Sequence, residues 1–177
     1  HGSIKVGNLP LTSINPHFWR SVTGSVMQES FIFSDTFAHN IALDSDSLDE
    51  TRLYQAAKMA NVDGFIRTLP LGYHTKIGME GNGVSQGQRQ RLLIARAIYK
   101  NPEYIFFDEA TNALDTTNES EIMHHLYEFY HGRTVVVAAH RLSTVKNADQ
   151  IVVIDQGKVV EVGNHESLTA KRGAYYN

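Results

Sequence analysis

The sequence predicts an α/β chain: a mostly parallel sheet carrying helices, with an α-helical subdomain near its middle. Three observations carry this. From Glu103 onward, short β-branched and aromatic runs alternate with amphipathic stretches, the pattern of a parallel sheet. Between positions 29 and 99, apolar residues instead recur at helical spacing. The 177 residues are 42% hydrophobic and 20% charged, an ordinary composition for a packed domain and enough chain for a sizeable core.

Composition also excludes several function classes. There is no cysteine, so disulfides, thiolate catalysis and cysteine-ligated zinc are ruled out. Sixteen Lys and Arg against nineteen Asp and Glu leave a net charge of −3, too mild for a nucleic-acid surface. The longest apolar runs, such as VVVAA at 135–139, fall far short of the ~20 residues that span a bilayer. No signal-peptide pattern opens the chain. The expectation is a cytoplasmic-type segment, or the soluble part of something larger.

The elements follow in order. GSIKV at 2–6 reads as a strand closed by a turn at Gly7-Asn8, and its abruptness suggests a start inside a domain. Phe18 to Arg20 end a short helix, and Ser21 to Met27 form a strand that stops at Gln28. Ser47 and Glu50 make a capping box, behind which Leu53, Ala56, Ala57 and Ala60 keep helical spacing. Val62 to Thr68 form a second helix, stopped by Pro70. Gly72, Gly78, Gly81 and Gly83 mark a loop, and a helix runs from Gln86 to Tyr99. EYIFFDEA is a buried strand. Asn118 caps the next helix, which Gly132 ends. Strands at 133–139 and 150–155 flank a short helix at 143–147. Gln156-Gly157 then turn a hairpin into 158–162. There is no internal repeat.

A few residues carry the chemistry. Asp108 and Glu109 close a strand, at the end where α/β sheets bind ligands. One carboxylate can hold a hard cation such as Mg2+ and the other can orient or deprotonate a water. A solvated strand end is the bland alternative. Ser85 stands where a glycine-rich loop enters a helix, whose free N–H groups and dipole favour an anion, while Gly87 lets a ligand approach the backbone. An ordinary N-cap serine is the alternative. Gln28 and His140 each end a strand, positions where polar residues are commonly structural; His140 can donate to a phosphate oxygen. His124, His125 and His131 read as surface residues, although Glu121 and His125 have ligand-like spacing.

Taken in order, Gln28, Ser85-Gln86-Gly87-Gln88, Asp108-Glu109, Asn112 to Asp115 and His140 closely resemble the nucleotide-binding domain of ABC transporters. In that family Gln28 is the Q-loop, VSQGQ the signature, FFDEA the Walker B strand, NALD the D-loop and AAHRLST the H-loop. The tail from Ala148 to Leu168 is similar to the family's C-terminal hairpin and helix. The resemblance implies a P-loop NTPase-like fold that binds ATP and Mg2+. Asp108 would hold Mg2+ through water, Glu109 would act as general base and His140 would contact the γ-phosphate. Gln28 would sense metal and water. Ser85, Gly87 and Gln88 would reach ATP bound by a second subunit, and Asp115 would act across the same seam. Such a division suits phosphoryl transfer. It also implies three parts: a core remnant at 1–28, a helical subdomain with the signature at 29–99, and the rest of the core at 100–177.

QESFIFSDTFAHNIAL after Gln28 and Thr75 to Gly81 look exporter-like, closest to exporters of peptides, bacteriocins or toxins, some of which carry an N-terminal peptidase. The resemblance thus implies ATP hydrolysis at a dimer interface, coupled to a transmembrane domain, on the cytoplasmic face of a membrane, with no nucleic-acid partner. The 57 positions from Gln28 to Ser85 leave no room for the coiled coil of SMC-type ATPases. A soluble ABC ATPase of translation or repair fits the exporter-like segment poorly. A non-catalytic, dimerising or regulatory ABC-like module is the alternative, disfavoured because Glu109 and His140 are both present.

Two departures stand out. The signature has Val84 for leucine and Gln86 for its first glycine. And no G-x-x-x-x-G-K-[ST] loop occurs: the sole Gly-Lys pair, Gly157-Lys158, is followed by valine. These residues alone should therefore bind ATP poorly. In the family, the strand feeding that loop lies between the VVVAA and IVVID strands. The expectation is that the exposed edges close by rearrangement or pair with another chain.

Overall fold

The computed structural model describes residues 2–27, 30–43, 48–78, 83–108, 116–140 and 142–176, with only the backbone at 116–121 and 143. It divides into a unit spanning 1–136 and a second spanning 137–177.

The first unit opens with a small antiparallel hairpin, β1 (Lys5–Val6) and β2 (Leu9–Pro10). Helix α1 (Pro16–Val22) follows. Its cap is Asn15, whose Oδ1 accepts from the His17 and Phe18 amides at 2.8 and 3.3 Å, with Pro16 at the first helical position. The strand expected over 21–27 is shorter for this reason. Ser21 and Val22 complete the helix, and β3 covers Thr23–Val26. β3 runs parallel to β4 (Tyr104–Asp108), with Val26 opposite Phe107. The order of this sheet is β3-β4-β5, where β5 is Thr134–Ala138.

Between β3 and β4 the chain is helical. α2 (Phe37–Ala42), unforeseen in the sequence, is capped by Thr36 and followed by Leu43 at φ 60°. α3 (Glu50–Met59) is capped by Asp49, whose side chain accepts from the Arg52 amide at 3.0 Å. The expected cap, Ser47, lies outside the described residues. α4 (Asp63–Thr68) matches expectation, and a 3-10 turn covers Gly72–His74. Tyr73 is buried there and donates to Asp63 Oδ1 at 2.7 Å, while Arg67 pairs with the same carboxylate at 2.8 Å. α5 (Gln86–Lys100) buries Leu92, Leu93, Ile94, Ala95, Ala97 and Ile98 against α2, α3 and β3. α6 (Thr116–Tyr130) starts before Asn118, so Asn118 lies inside the helix rather than capping it. Ile32, Ile41, Leu53, Ile66, Leu92, Ile94, Ile105 and Leu126 are the fully buried centre of the unit.

The second unit holds α7 (Leu142–Val145), the antiparallel pair β6 (Ile151–Asp155) and β7 (Lys158–Gly163), and α8 (His165–Lys171). Gln156 and Gly157 both adopt positive φ, 45° and 76°, the geometry of a tight hairpin turn. Leu168 anchors α8 and is completely buried.

Of the two outcomes expected for the strand edges, closure by rearrangement is not seen. Among the described residues β5 ends its sheet and β6 pairs only with β7, so no rearrangement closes either edge. Val136 is 50% exposed and Ile154 67%.

Candidate functional site

The best-defined site element is the start of α5. Gly83, at φ +94°, turns the loop into the helix, a conformation that glycine adopts without strain. Ser85 is the N-cap. Its Oγ accepts from the Gln88 amide at 3.2 Å, and Gln88 Oε1 accepts from the Ser85 amide at 2.8 Å. The two readings of Ser85 therefore do not compete. Capping uses one lone pair of the hydroxyl, and its O–H remains a donor. The Gln88 side chain likewise caps through oxygen and keeps its NH2 for a ligand. The amides of Gln86 and Gly87 have no partner within the helix, because the first turn never supplies one. A cluster of donors thus sits at the positive end of a 15-residue helix.

Charge adds to this. α5 has no acidic residue in its first turn, where carboxylates favour an isolated helix. Arg89 closes that turn and Arg91 stands in the next, where Arg91 Nε donates to the Gly87 carbonyl at 3.3 Å. Sequence reasoning passed over these arginines. The available signal was two guanidinium groups in opening turns that normally hold Asp or Glu. Such an arrangement suits an anion.

Asp108 is the exposed last residue of β4. Because β3 and β4 run in the same direction, their C-terminal ends lie side by side. The chain leaves them toward Gln28 on one strand and Glu109 on the other. Gln28, Glu109 and Asp115 themselves lie outside the described residues. His140 is exposed, two residues after β5, in the second unit. The structure thus brings Ser85, Gly87 and Gln88 together and sets Asp108 at a sheet end.

No group of three or more His, Asp or Glu able to hold a metal occurs among the described residues. A single exposed carboxylate at a strand end fits Mg2+, which takes one or two carboxylates and completes its shell with water and phosphate oxygens. His125 is not a surface ligand. It is half-buried, with Nδ1 3.1 Å from the Met59 carbonyl.

Comparison with known proteins is consistent with this geometry. A family profile described as ABC transporter matches residues 1–112. The chain is 48% identical over 176 residues to an ATP-dependent lipid A-core flippase of Saccharophagus degradans, covering 99% of this chain and 30% of that protein. It is 40% identical over 177 residues to the alpha-hemolysin translocation ATP-binding protein HlyB of Escherichia coli, covering 100% and 25%. Among solved structures, a bacterial Atm1-family ABC exporter with ATP bound superposes with TM-score 0.93 at 39% identity, over 99% of this chain and 31% of that one. The chain therefore spans about a third or less of the length of these relatives.

Proposed function

This chain belongs to the ABC transporter family, and from that premise we propose that it is part of the ATP-binding and ATP-hydrolysing domain of an exporter. The observation that carries the proposal is the α5 N-terminus. It is capped through atoms that leave the Ser85 hydroxyl hydrogen and the Gln88 side-chain NH2 to donate to a phosphate.

In this reading Ser85, Gly87 and Gln88 bind ATP held by a second nucleotide-binding domain, and Asp115 acts across the same seam. Asp108 and Gln28 would hold Mg2+, which would supply charge neutralisation to the phosphates. Glu109 takes a proton from water as the water oxygen bonds to the γ-phosphorus and the β–γ bridging P–O bond breaks. His140 donates to a γ-phosphate oxygen. The donors of α5 face charge that is already in place, so they need little reorganisation in the transition state. Hydrolysis is coupled to a transmembrane domain of the same transporter, at the cytoplasmic face of the membrane. Residues 29–99 form the helical subdomain, with 1–28 and 100–177 contributing to the core.

The test is ATP hydrolysis by the full-length protein in lipid. These 177 residues hold no phosphate loop, so the longer chain is required. Wild type is expected to hydrolyse Mg-ATP, with Glu109→Gln and His140→Ala each lowering kcat by about 100-fold or more, the scale of a lost general base. Wild-type ATP binding without turnover would favour a non-catalytic, dimerising module instead.

A further inference from the structure

The stretch Phe31–Thr36 follows Gln28 and precedes α2 without regular secondary structure, so its backbone groups need partners from elsewhere. Two side chains meet five of these groups. Asn40, on α2, is completely buried. Its Oδ1 accepts from the Phe33 amide at 2.8 Å. Its Nδ2 donates to the carbonyls of Phe33, Asp35 and Thr36 at 3.0, 3.3 and 3.0 Å.

Arg96, on α5, completes the network. Nε donates to the Asn40 carbonyl at 2.7 Å, Nη1 to the Phe31 carbonyl at 3.0 Å and Nη2 to Asn40 Oδ1 at 3.2 Å. Its guanidinium also lies 5.4 Å from the centre of the Phe33 ring. None of these partners is a carboxylate. Burial without a counter-charge pushes the Arg96 pKa down to about 10, a cost that the hydrogen bonds must offset. A guanidinium spent on three neutral oxygens of a loop and its anchoring helix, with no salt bridge among the described residues, serves geometry more than charge.

We propose that Asn40 and Arg96 are positioning residues, fastening the segment beside Gln28 to the helix that begins at Ser85 so that both keep one spacing during ATP hydrolysis. This rests on the reading of Gln28 and Ser85 as nucleotide-site residues. Arg96 touches neither substrate nor metal and acts through the Phe31–Thr36 backbone. Lysine at 96 keeps the charge and the apolar stem but not the fork that reaches Phe31 and Asn40 together.

The experiment is a double-mutant cycle on ATPase rate in the full-length protein, pairing Arg96→Lys with Gln28→Ala. Arg96→Lys is expected to lower kcat about 10-fold with KM for ATP changed less than about 2-fold. In the Gln28→Ala background the same change should lower kcat less than about 3-fold, because the segment's contribution is already gone. A general loss of folded protein would lower kcat equally in both backgrounds, and that outcome overturns the proposal, as does an unchanged kcat. Hydrogen exchange at the Phe33 amide supplies a readout apart from activity. Exchange should quicken about 10-fold or more in Asn40→Ala and Arg96→Lys, since Asn40 Oδ1 holds that amide. Unaltered protection in both variants overturns the clamp. A wild-type protein that does not hydrolyse ATP defeats the functional reading and this proposal with it. Hydrolysis with independent effects defeats the clamp alone.

Discussion

Ser85 shows that a capping role in a short motif leaves a second role open. Its hydroxyl caps α5 through a lone pair and keeps its hydrogen for a ligand, so the structural and functional readings of VSQGQ coexist. Gln86 is the exposed first residue of the helix, outside the capping box. Gln86→Gly in the full-length protein is therefore expected to leave turnover within about 10-fold, or about 1.4 kcal/mol, of wild type. A steady-state ATPase assay with a larger loss would show that the glutamine contributes to the site. Asp35 offers a pH-dependent check on the neighbouring segment. The hydrogen bond from His39 at 3.0 Å, and after it the Thr36 amide at 2.7 Å, hold its carboxyl below the usual 3.8. Because the folded pKa is the lower one, the contribution is present above the unfolded pKa and lost as pH falls through the folded value. Carboxyl NMR titration of His39→Leu should show Asp35 moving up toward 3.8, but not fully, since the Thr36 amide remains. An unmoved Asp35 would refute the assignment. The candidate site residues were picked out by the order and spacing of their motifs, which resemble one family, because residue type alone left a structural reading open for each of them. Asn40 and Arg96 were not, because their partners are backbone atoms of distant residues.

Elements were read correctly where pattern and cap agreed. α5 begins at Gln86, as a cap at Ser85 predicts, and β4 ends on Asp108 as the apolar run predicts. The misreadings were at ends. Asn15 with Pro16 starts α1, so that Ser21 and Val22 belong to a helix although their neighbours favour a strand. Asp49 caps α3, one residue before it starts. Asn118 lost its capping place because α6 begins two residues earlier. Cap residues crowd together in such stretches, and local chemistry does not choose among them. Close packing is a further property of elements that residue identity does not disclose. Gly24, in β3, lies so near Pro102 that an added Cβ would come within 2.7 Å of its Cγ. Gly24→Ala is expected to destabilise the chain by about 1–3 kcal/mol, the range for overpacking against a rigid group. Denaturant unfolding checks it, and a loss below about 0.5 kcal/mol would mean that Pro102 yields easily.

For the whole molecule, the edges of β5 and β6 that are unpaired among the described residues carry the clearest consequence. Val136, Val152 and Ile154 are about half exposed or more on strands with an unpaired edge, and exposed apolar edges template pairing. The 177-residue chain is expected to self-associate in a concentration-dependent way in sedimentation velocity. A single monomeric species across the accessible range would show that these edges are protected in solution. The sequence by itself determined the α/β class, most of the strands and helices and, through the resemblance carried by its motifs in order, the family. The first two depend on periodicity, turn chemistry and residue type, all local along the chain. Tertiary structure alone decided that Asn15 and Asp49 cap α1 and α3, that Gly24 is closed in by Pro102, that β5 and β6 keep open edges among the described residues, and that Arg96 reaches across 65 positions to Phe31. Those outcomes depend on atoms far apart in the chain meeting in space, where hydrogen-bond geometry and packed volume select among locally equivalent choices.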